Sequence, residues 1–346
     1  MDVLEWARFP AVEGCRTGRA WLRIQGNLGL AKNTLQAYGR SLHEYLLFCA
    51  QHGVDAESAT REQVSGFVRS LLEKEGRPHK GNSETDVQPR LANATVQLRL
   101  TAIRLFYDYL IEEGIRPTNP VGRGRYTPGK SFGAERGLVP RYRKLPWIPN
   151  DDEWTAVLKA AREEPLRNRV MLAFSYDAAL RREELCMLET GDIDPAHRLL
   201  HIRAETTKNR QDRVVPYSPA SGTLYAAYLV RRNELSRDRG PLFLSESRRN
   251  LARPLSIWTW SKVVTRMAER SGLPGLTTHT ARHLRLTDLA RAGWDVHEIA
   301  AFAGHRCIQT TLCYIHSSGR ELAKKLEHGM AEIHAWRARM FVEMLQ

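Results

Sequence analysis

Cysteine and long hydrophobic runs are both scarce in this chain of 346 residues. The five cysteines are scattered and form no CxxC pair: Cys15, Cys49, Cys186, Cys307 and Cys313. An odd, dispersed set argues against a disulfide framework and fits a reducing compartment. No apolar stretch approaches the roughly 18 residues that a membrane-spanning helix requires. The first residues lack the basic-then-apolar order of a secretory signal, so we expect a soluble, cytoplasmic protein without membrane partners.

Acidic residues are also scarce relative to basic ones. The chain has 39 Asp and Glu against 52 Lys and Arg, which gives a formal net charge of +13 at pH 7. Such an excess indicates a polyanionic partner, for which nucleic acid is the commonest candidate and an anionic membrane surface the alternative. The sequence contains no GxxxxGKS or GxxxxGKT phosphate loop and no acidic metal-binding cluster. The motifs therefore point to neither a nucleotide cofactor nor a metal.

Helical periodicity, loop composition and charge divide the chain into five segments. We predict, in order, an N-terminal extension, a small all-helical domain, a basic linker rich in proline and glycine, a second domain, and an amphipathic C-terminal helix. Their bounds are 1–16, 17–118, 119–149, 150–318 and 319–346. In the helical domain, Thr60 followed by Gln63 predicts a capping box at a helix start.

The second domain is predicted to be mainly helical with one small β-hairpin. Asn150 followed by Glu153 predicts another capped helix start. Helical patterns extend over 151–162, 166–188, 256–271, 278–291, 295–303 and 308–316. Two extended runs, Leu199–Ala204 and Arg213–Tyr217, flank a polar segment and predict the hairpin. The whole chain is therefore predicted to be mainly α with a small β-sheet.

The linker has a very unequal charge. Its basic residues are Arg123, Arg125, Lys130, Arg136, Arg141, Arg143 and Lys144, and its one acid is Glu135. Two interpretations stay open: a solvated flexible tether, or a linker that lies along DNA phosphates. We favour the second, because so many like charges repel one another unless they are neutralised.

Residues able to do chemistry on a phosphate are spread over the second domain. Arg181 and Glu184 share a helix face in the 166–188 pattern, and Lys208 lies at the hairpin tip beside Arg210. His279 and Arg282 project from one side of a later helix. His305 follows a glycine in a predicted tight turn, and Tyr314 lies near the end of the last helical pattern of this domain.

Each of these residues, taken alone, has a structural explanation. An Arg–Glu pair in a helix is usually a solvated ion pair, and a basic hairpin tip is usually a general phosphate contact. A tyrosine between apolar residues is usually part of a core. His279 and His283 have the spacing of metal ligands, but no Glu follows His279 and no third ligand is evident.

Taken together, these residues resemble the catalytic motif of the tyrosine recombinases, the phage-integrase-like family. The order is Arg…Lys…His-x-x-Arg…Gly-His…Tyr, with nine residues from His305 to Tyr314. The matching positions are Arg181 with its accompanying acid Glu184, Lys208, His279, Arg282, His305 and Tyr314. The segment 17–118 resembles the family's core-binding domain. Ala179 stands where the family usually has glycine, and Ala303 where leucine is frequent.

The resemblance implies a site-specific DNA recombinase that uses neither metal nor ATP. It would be an integrase or transposase of a mobile element, or a resolvase of replicons. Tyr314 would attack the scissile phosphate and form a 3′-phosphotyrosyl intermediate, with His279 as proton acceptor. Arg181 and Arg282 would bind the non-bridging oxygens. Lys208 would protonate the leaving 5′-oxygen, and a further hydrogen bond to the phosphate would come from the motif's last histidine, His305.

The resemblance also implies the partners. A helical core-binding domain and a catalytic domain would form a C-shaped clamp on a double-stranded recombination site. From their charge, we expect the DNA contacts to come from Arg123, Arg125, Lys130, Arg141, Arg143, Lys144 and Arg210. The protein would be a dimer on DNA and a tetramer in the synapse, associated with the bacterial nucleoid when bound to DNA. Whether accessory recombination proteins assist stays open. The helix over 319–346 would dock into a neighbouring protomer or fold back on its own domain. A type IB topoisomerase and a non-catalytic DNA-binding regulator are the alternatives.

Overall fold

The computed structural model of the chain describes residues 4–74, 91–122, 138–139, 142, 146–207 and 209–315. It divides into two compact units, Met1–Lys144 and Leu145–Gln346. Several predicted features lie outside the described residues: the helix over 319–346, Lys208, and the linker residues Arg123, Arg125, Lys130, Arg136, Arg141, Arg143 and Lys144. Within the described ranges, no helix is both long and apolar enough to cross a membrane.

The first unit is helical throughout its described elements. A 3-10 turn at Trp6–Arg8 is followed by α1 (Pro10–Glu13), α2 (Arg16–Asn27), α3 (Lys32–Gln51), α4 (Arg61–Glu73) and α5 (Asn93–Glu112). The predicted capping box of α4 is confirmed. Thr60 Oγ1 accepts the N–H of Gln63 at 3.4 Å, and Gln63 Oε1 accepts the N–H of Thr60 at 2.8 Å. Both amides would otherwise lack a partner within the helix.

Residues 4–12 do not form a separate extension, because Leu4, Trp6, Phe9 and Val12 belong to the core of the first unit. Phe9 is 1% exposed and Val12 is fully buried. The Phe9 ring lies against Gly39 of α3, where a Cβ would come within 2.9 Å of it. The N–H of Ala11 also donates to His43 Nδ1 of α3 at 3.2 Å. The sequence pattern does not reveal this packing, because α1 is a single turn and shows no periodicity.

The second unit combines helices with a small antiparallel sheet. Its helices are α6 (Asp151–Arg162), α7 (Leu166–Asp177), α8 (Arg182–Cys186), α9 (Pro219–Leu235), α10 (Ile257–Ser271), α11 (Thr280–Arg291), α12 (Val296–Ala303) and α13 (Ile308–Ile315). The predicted capping box of Asn150 and Glu153 is confirmed at the start of α6. The core contains large buried side chains such as Phe174 of α7 and Trp260 of α10.

The predicted hairpin is confirmed as the β2–β3 pair. Strands β1 (Ile193–Asp194), β2 (Leu199–Ile202) and β3 (Arg213–Pro216) are antiparallel in the order β1-β2-β3. Leu200 pairs with Val215, and both are buried. Ile202 pairs with Arg213 at the end of the ladder next to the hairpin tip. The register therefore places Arg213 at the end of the β2–β3 ladder nearest the hairpin tip, where the sequence predicts the catalytic lysine.

The helix predicted over 166–188 is broken, which corrects the placement of Arg181. Four residues separate α7 from α8, and among them Ala179 has φ 47°, in the left-handed region. A residue other than glycine pays roughly 1–2 kcal/mol for this conformation. The Ala179 carbonyl accepts a hydrogen bond from Arg282, and this tertiary contact stabilises the turn. Arg181 is consequently the N-cap residue of α8 and does not lie within a longer helix.

Candidate active site

Arg181 is held in place by an acid one helical turn further on. Glu184 Oε2 accepts the backbone N–H of Arg181 at 2.9 Å, and Oε1 accepts its Nη1 at 2.6 Å. The other terminal nitrogen, Nη2, donates to the Gly304 carbonyl at 2.8 Å. Because the Glu184 side chain is 1% exposed, this is a buried pair and not the solvated one that such spacing usually produces.

The adjacent Arg182 has different surroundings. Its Nη2 lies 2.7 Å from Glu183 Oε1, and its Nη1 donates to Ser261 Oγ at 3.2 Å. Its guanidinium carbon is 5.7 Å from the ring centre of Trp258, which is largely exposed. Of the two neighbouring arginines, Arg181 is therefore the one that shares partners with the histidine and tyrosine segments.

Arg282 lies in the first turn of α11 and is 4% exposed. Its guanidinium donates to the Ala179 carbonyl and, through Nη2, to the Ala303 carbonyl at 2.6 Å. The same Nη2 is 2.9 Å from His305 Nε2. These partners are neutral. Burial, and then the charge of Arg181, lower the pKa of Arg282 to about 9, so the group stays cationic at neutral pH.

His305 follows the left-handed residue Gly304, φ 63°, which ends α12. A guanidinium only donates hydrogen bonds, so His305 Nε2 accepts from Arg282 and the ring proton is on Nδ1. Nδ1 lies 2.9 Å from Thr311 Oγ1. Burial, and then Arg282, lower the pKa of His305 to about 3, so the ring is neutral near pH 7. The predicted donation from His305 to a phosphate therefore requires the Arg282 bond to be exchanged.

Tyr314 of α13 is 7% exposed and lies among polar rings. Its hydroxyl is 2.8 Å from His283 Nδ1, and its ring stacks on His305 with centroids 6.1 Å apart. Burial, then His279 and Arg282, lower the pKa of His283 to about 4, so its imidazole is neutral near pH 7. A neutral imidazole can accept the phenol hydrogen at Nδ1.

His283 is a site residue that the sequence interpretation missed. The predicted proton acceptor, His279, is exposed immediately before α11, and its ring centroid is 6.2 Å from that of His283. Desolvation lowers the pKa of His279, Glu183 opposes this, and Arg282 adds to it. The spacing of four residues does place both histidines on one helix face, but it suggested only metal ligands. No group of three or more metal-binding side chains occurs within the described residues.

Arg213 of β3 is a second residue that the sequence interpretation missed. Its Nη2 and Nη1 lie 2.6 Å and 3.1 Å from the two oxygens of Glu184. Burial alone would raise the pKa of Glu184, but hydrogen bonding and charge from Arg213, and then from Arg181, lower it to about 2. Glu184 is therefore a carboxylate shared by two arginines. Nothing in the local sequence indicates this contact, because the partners are 29 residues apart.

The hairpin tip borders an open cleft of about 460 Å³. Asn209, Arg213 and His305 are among its lining residues. Asn209 Nδ2 donates to the Gly304 carbonyl at 3.1 Å, which connects the tip to the end of α12. Arg210, a predicted DNA contact, is exposed with φ 52°.

The described members of the predicted catalytic set meet at one site. Arg181 pairs with Glu184, and Arg282, His305 and Tyr314 contact one another in sequence. The two groups meet at the adjacent carbonyls of Ala303 and Gly304, which accept from Arg282 and Arg181. His279 lies beside this cluster on α11, next to the ring of His283. Fixed positive groups, neutral imidazoles and a phenol are thus collected in one place, an arrangement suited to binding an anion next to a nucleophilic oxygen.

Two family models match the chain. The model described as the phage integrase family matches residues 150–321. The model described as the phage integrase N-terminal SAM-like domain matches residues 21–114. The first match contains every residue of the site described above.

Known proteins are similar to the chain over most of its length. A tyrosine recombinase XerC of Herpetosiphon aurantiacus is 28% identical over 300 residues, which cover 86% of this chain and 88% of the relative. A tyrosine recombinase XerD of Oceanobacillus iheyensis is 29% identical over 304 residues, covering 86% and 91%. The solved Tn1549 transposon integrase, in complex with transposon right end DNA, has a TM-score of 0.65 and 15% identity, covering 92% of this chain and 99% of that one. This last likeness shows the fold alone.

Proposed function

The chain belongs to the phage integrase family of tyrosine recombinases, enzymes that cleave and rejoin DNA strands, and we propose that it does so through Tyr314. In this proposal the phenolic oxygen attacks the scissile phosphate, giving a 3′-phosphotyrosyl bond and a free 5′-hydroxyl. One observation carries it: Tyr314 lies against His283 and His305 in the cluster that contains Arg282 and Arg181. This grouping of a phenol, two guanidinium groups and two imidazoles supports the proposal that they act on one phosphate.

The phenol needs a proton acceptor, because its ordinary pKa is about 10. We propose that His279 accepts this proton during attack. Before the attack, His283 orients the hydroxyl, since its Nδ1 lies 2.8 Å from the phenolic oxygen. The departing 5′-oxygen takes a proton from Lys208, and rejoining reverses both transfers. The phosphotyrosyl bond conserves the energy of the phosphodiester, so strand rejoining needs no nucleotide.

Arg181 and Arg282 are proposed to stabilise the negative charge that builds on the phosphate. Both guanidinium groups now donate to backbone carbonyls, those of Gly304, Ala179 and Ala303. A guanidinium forms stronger hydrogen bonds with an anionic phosphate than with a neutral carbonyl, because opposite charges attract and the planar group can bind two oxygens at once. An incoming phosphate is therefore expected to replace some of the carbonyl bonds, and its oxygens would each find a preformed cationic partner.

The proposed substrate is a double-stranded recombination site, and the proposed task is integration or transposition of a mobile element. The net charge of +13 supports a DNA partner. The mobile-element role is suggested by the Tn1549 transposon integrase, a protein solved with transposon DNA, to which this chain is similar in fold. We further propose a dimer on one site and a tetramer in the synapse, basic-linker contacts to the phosphates, and docking of the 319–346 helix into a neighbour.

A nicked suicide substrate in a buffer free of divalent metal tests the catalytic proposal. We expect a covalent protein–DNA adduct that disappears in Tyr314→Phe. Tyr176→Phe is the matched control, because Tyr176 belongs to the same unit and its hydroxyl bonds to Asp288 outside the cluster. An adduct that survives Tyr314→Phe would refute the nucleophile. Relaxation of supercoiled plasmid by dilute protein would favour a topoisomerase, and DNA binding without any adduct would favour a regulator.

A further inference from the structure

Arg213 lies outside the predicted catalytic set, yet it forms an ion pair with Glu184, the acid that binds Arg181. We propose that Arg213 is a positioning residue for DNA cleavage, which acts through Glu184 to fix the orientation of the Arg181 guanidinium. This inference rests on the proposed function, because it takes Arg181 as a ligand of the scissile phosphate.

The ion pair between Arg213 and Glu184 is bidentate and buried. Its two N···O distances are 2.6 Å and 3.1 Å, and the side chains are 8% and 1% exposed. The same carboxylate oxygens accept Nη1 and the backbone N–H of Arg181. A carboxylate that receives four donors from two arginines has almost no rotational freedom. The orientation of Arg181 therefore depends on Arg213, although the structure gives no hydrogen bond between the two arginines.

Arg213 also contacts the last turn of α12, next to the Gly304 carbonyl that receives the other end of Arg181. Its Nε donates to the Phe302 carbonyl at 3.1 Å, two residues before Gly304. The Gly304 carbonyl in turn accepts Arg181 Nη2 at 2.8 Å. Both groups that hold the Arg181 guanidinium, the carboxylate and the turn, are thus fixed by the same side chain.

Charge makes this arrangement sensitive to the loss of Arg213. Glu184 faces Arg181 and Arg213 directly, and Arg282 and His305 at longer range. Burial raises the pKa of Glu184, and Arg213 is the leading cause that lowers it. Without Arg213 the carboxyl is expected to bind a proton closer to neutral pH. Its ion pair with Arg181 would then weaken as the pH falls.

The first experiment measures the single-turnover rate of adduct formation on the suicide substrate with the full chain. Arg213→Met is expected to slow cleavage by about 10-fold to 100-fold, the effect of a misplaced binding group, with little change in DNA affinity. Arg213→Lys is expected to restore part of the rate. The control is Arg203→Met, since Arg203 directly follows β2 and pairs at 3.0 Å with Glu189 and Asp192, which are not members of the cluster. Equal rates for Arg213→Met and the control would overturn the proposal.

A double-mutant cycle tests whether Arg213 acts through the acid. Arg213→Met combined with Glu184→Gln is expected to cleave as slowly as Glu184→Gln alone. A double variant tenfold slower than Glu184→Gln would mean that Arg213 acts on DNA by itself, and the proposal would be wrong. The double variant also guards against misfolding, because it contains no buried unpaired carboxylate.

The pH profile provides a readout that simple loss of structure would not produce. The rate of Arg213→Met divided by the wild-type rate is expected to fall between pH 8 and pH 5, as Glu184 becomes protonated in the variant only. A constant ratio would contradict the proposal.

If the wild type forms no adduct, the proposed function fails, and unfolding still tests the contact. In the wild type the depressed pKa of Glu184, about 2 against 4.5, stabilises the fold above pH 4.5, and this contribution is lost as the pH falls through the folded value. In Arg213→Met, whose carboxyl is unpaired on one side, the stability deficit relative to wild type is expected to shrink on acidification. A deficit independent of pH would refute the link between the two residues.

Discussion

Replacing Gly304 with alanine tests whether the turn after α12 positions the active site. Gly304 has φ 63°, where a residue with a Cβ costs roughly 1–2 kcal/mol. A Cβ there would also lie 3.0 Å from Arg213 Nη1 and 3.3 Å from its Cδ. Arg213 cannot simply swing away, because Glu184 and the Phe302 carbonyl hold its guanidinium. The substitution therefore combines backbone strain with displacement of a buried ion pair.

Gly272 offers a matched control that carries the backbone strain alone. It ends α10 at φ 69°, and apart from its chain neighbours no heavy atom lies within 4 Å of the position its Cβ would take. Gly272→Ala is expected to lower the free energy of unfolding by roughly 1–2 kcal/mol. In a unit of this size, each kcal/mol lowers Tm by about 2–4 °C. Gly304→Ala is expected to lose more than this, because Arg213 must move as well.

The assays are urea unfolding and adduct formation on the suicide substrate. Both are carried out at a temperature well below the Tm of the variants. Gly272→Ala is expected to cleave at the wild-type rate, and Gly304→Ala about 10-fold to 100-fold more slowly. Two results would refute the reasoning: equal cleavage by the two variants, or a Gly304→Ala protein as stable as Gly272→Ala. Either would mean that Arg213 accommodates the methyl group without moving the site.

Three further substitutions test the site and the fold. Arg181→Gln is expected to abolish adduct formation while much DNA binding persists, since other phosphate contacts maintain affinity. Arg182→Gln is expected to cleave within about threefold of wild type, because Arg182 bonds to Glu183 and Ser261 and not to the cluster. His283→Phe removes the hydrogen bond between His283 Nδ1 and the Tyr314 hydroxyl, so urea unfolding should show a loss of about 0.5–1.5 kcal/mol; an unchanged value would contradict the contact. Phe9→Ala should cost the first unit about 3–5 kcal/mol, against under about 0.5 kcal/mol for the exposed Leu28→Ala.

Local sequence patterns predict helix starts well in this protein. The boxes of Thr60 with Gln63 and of Asn150 with Glu153 both form, because each needs only residues three apart. The β2–β3 hairpin is likewise predicted from two nearby apolar runs. In contrast, the break between α7 and α8 has no local signal, since alanine, leucine, arginine and glutamate are all good helix formers. Its left-handed Ala179 is stabilised by Arg282, 103 residues away.

The sequence by itself determined the family resemblance, the helical character and the identities of the catalytic set, because these depend on residue types, order and short spacings. Only the tertiary structure decided which groups hold one another: His283 against Tyr314, and Arg213 against Glu184. Such contacts join segments about 30 residues apart and depend on how strands and helices pack. Their free energy comes from burying charges and polar groups together, a property of the folded core that no local pattern contains.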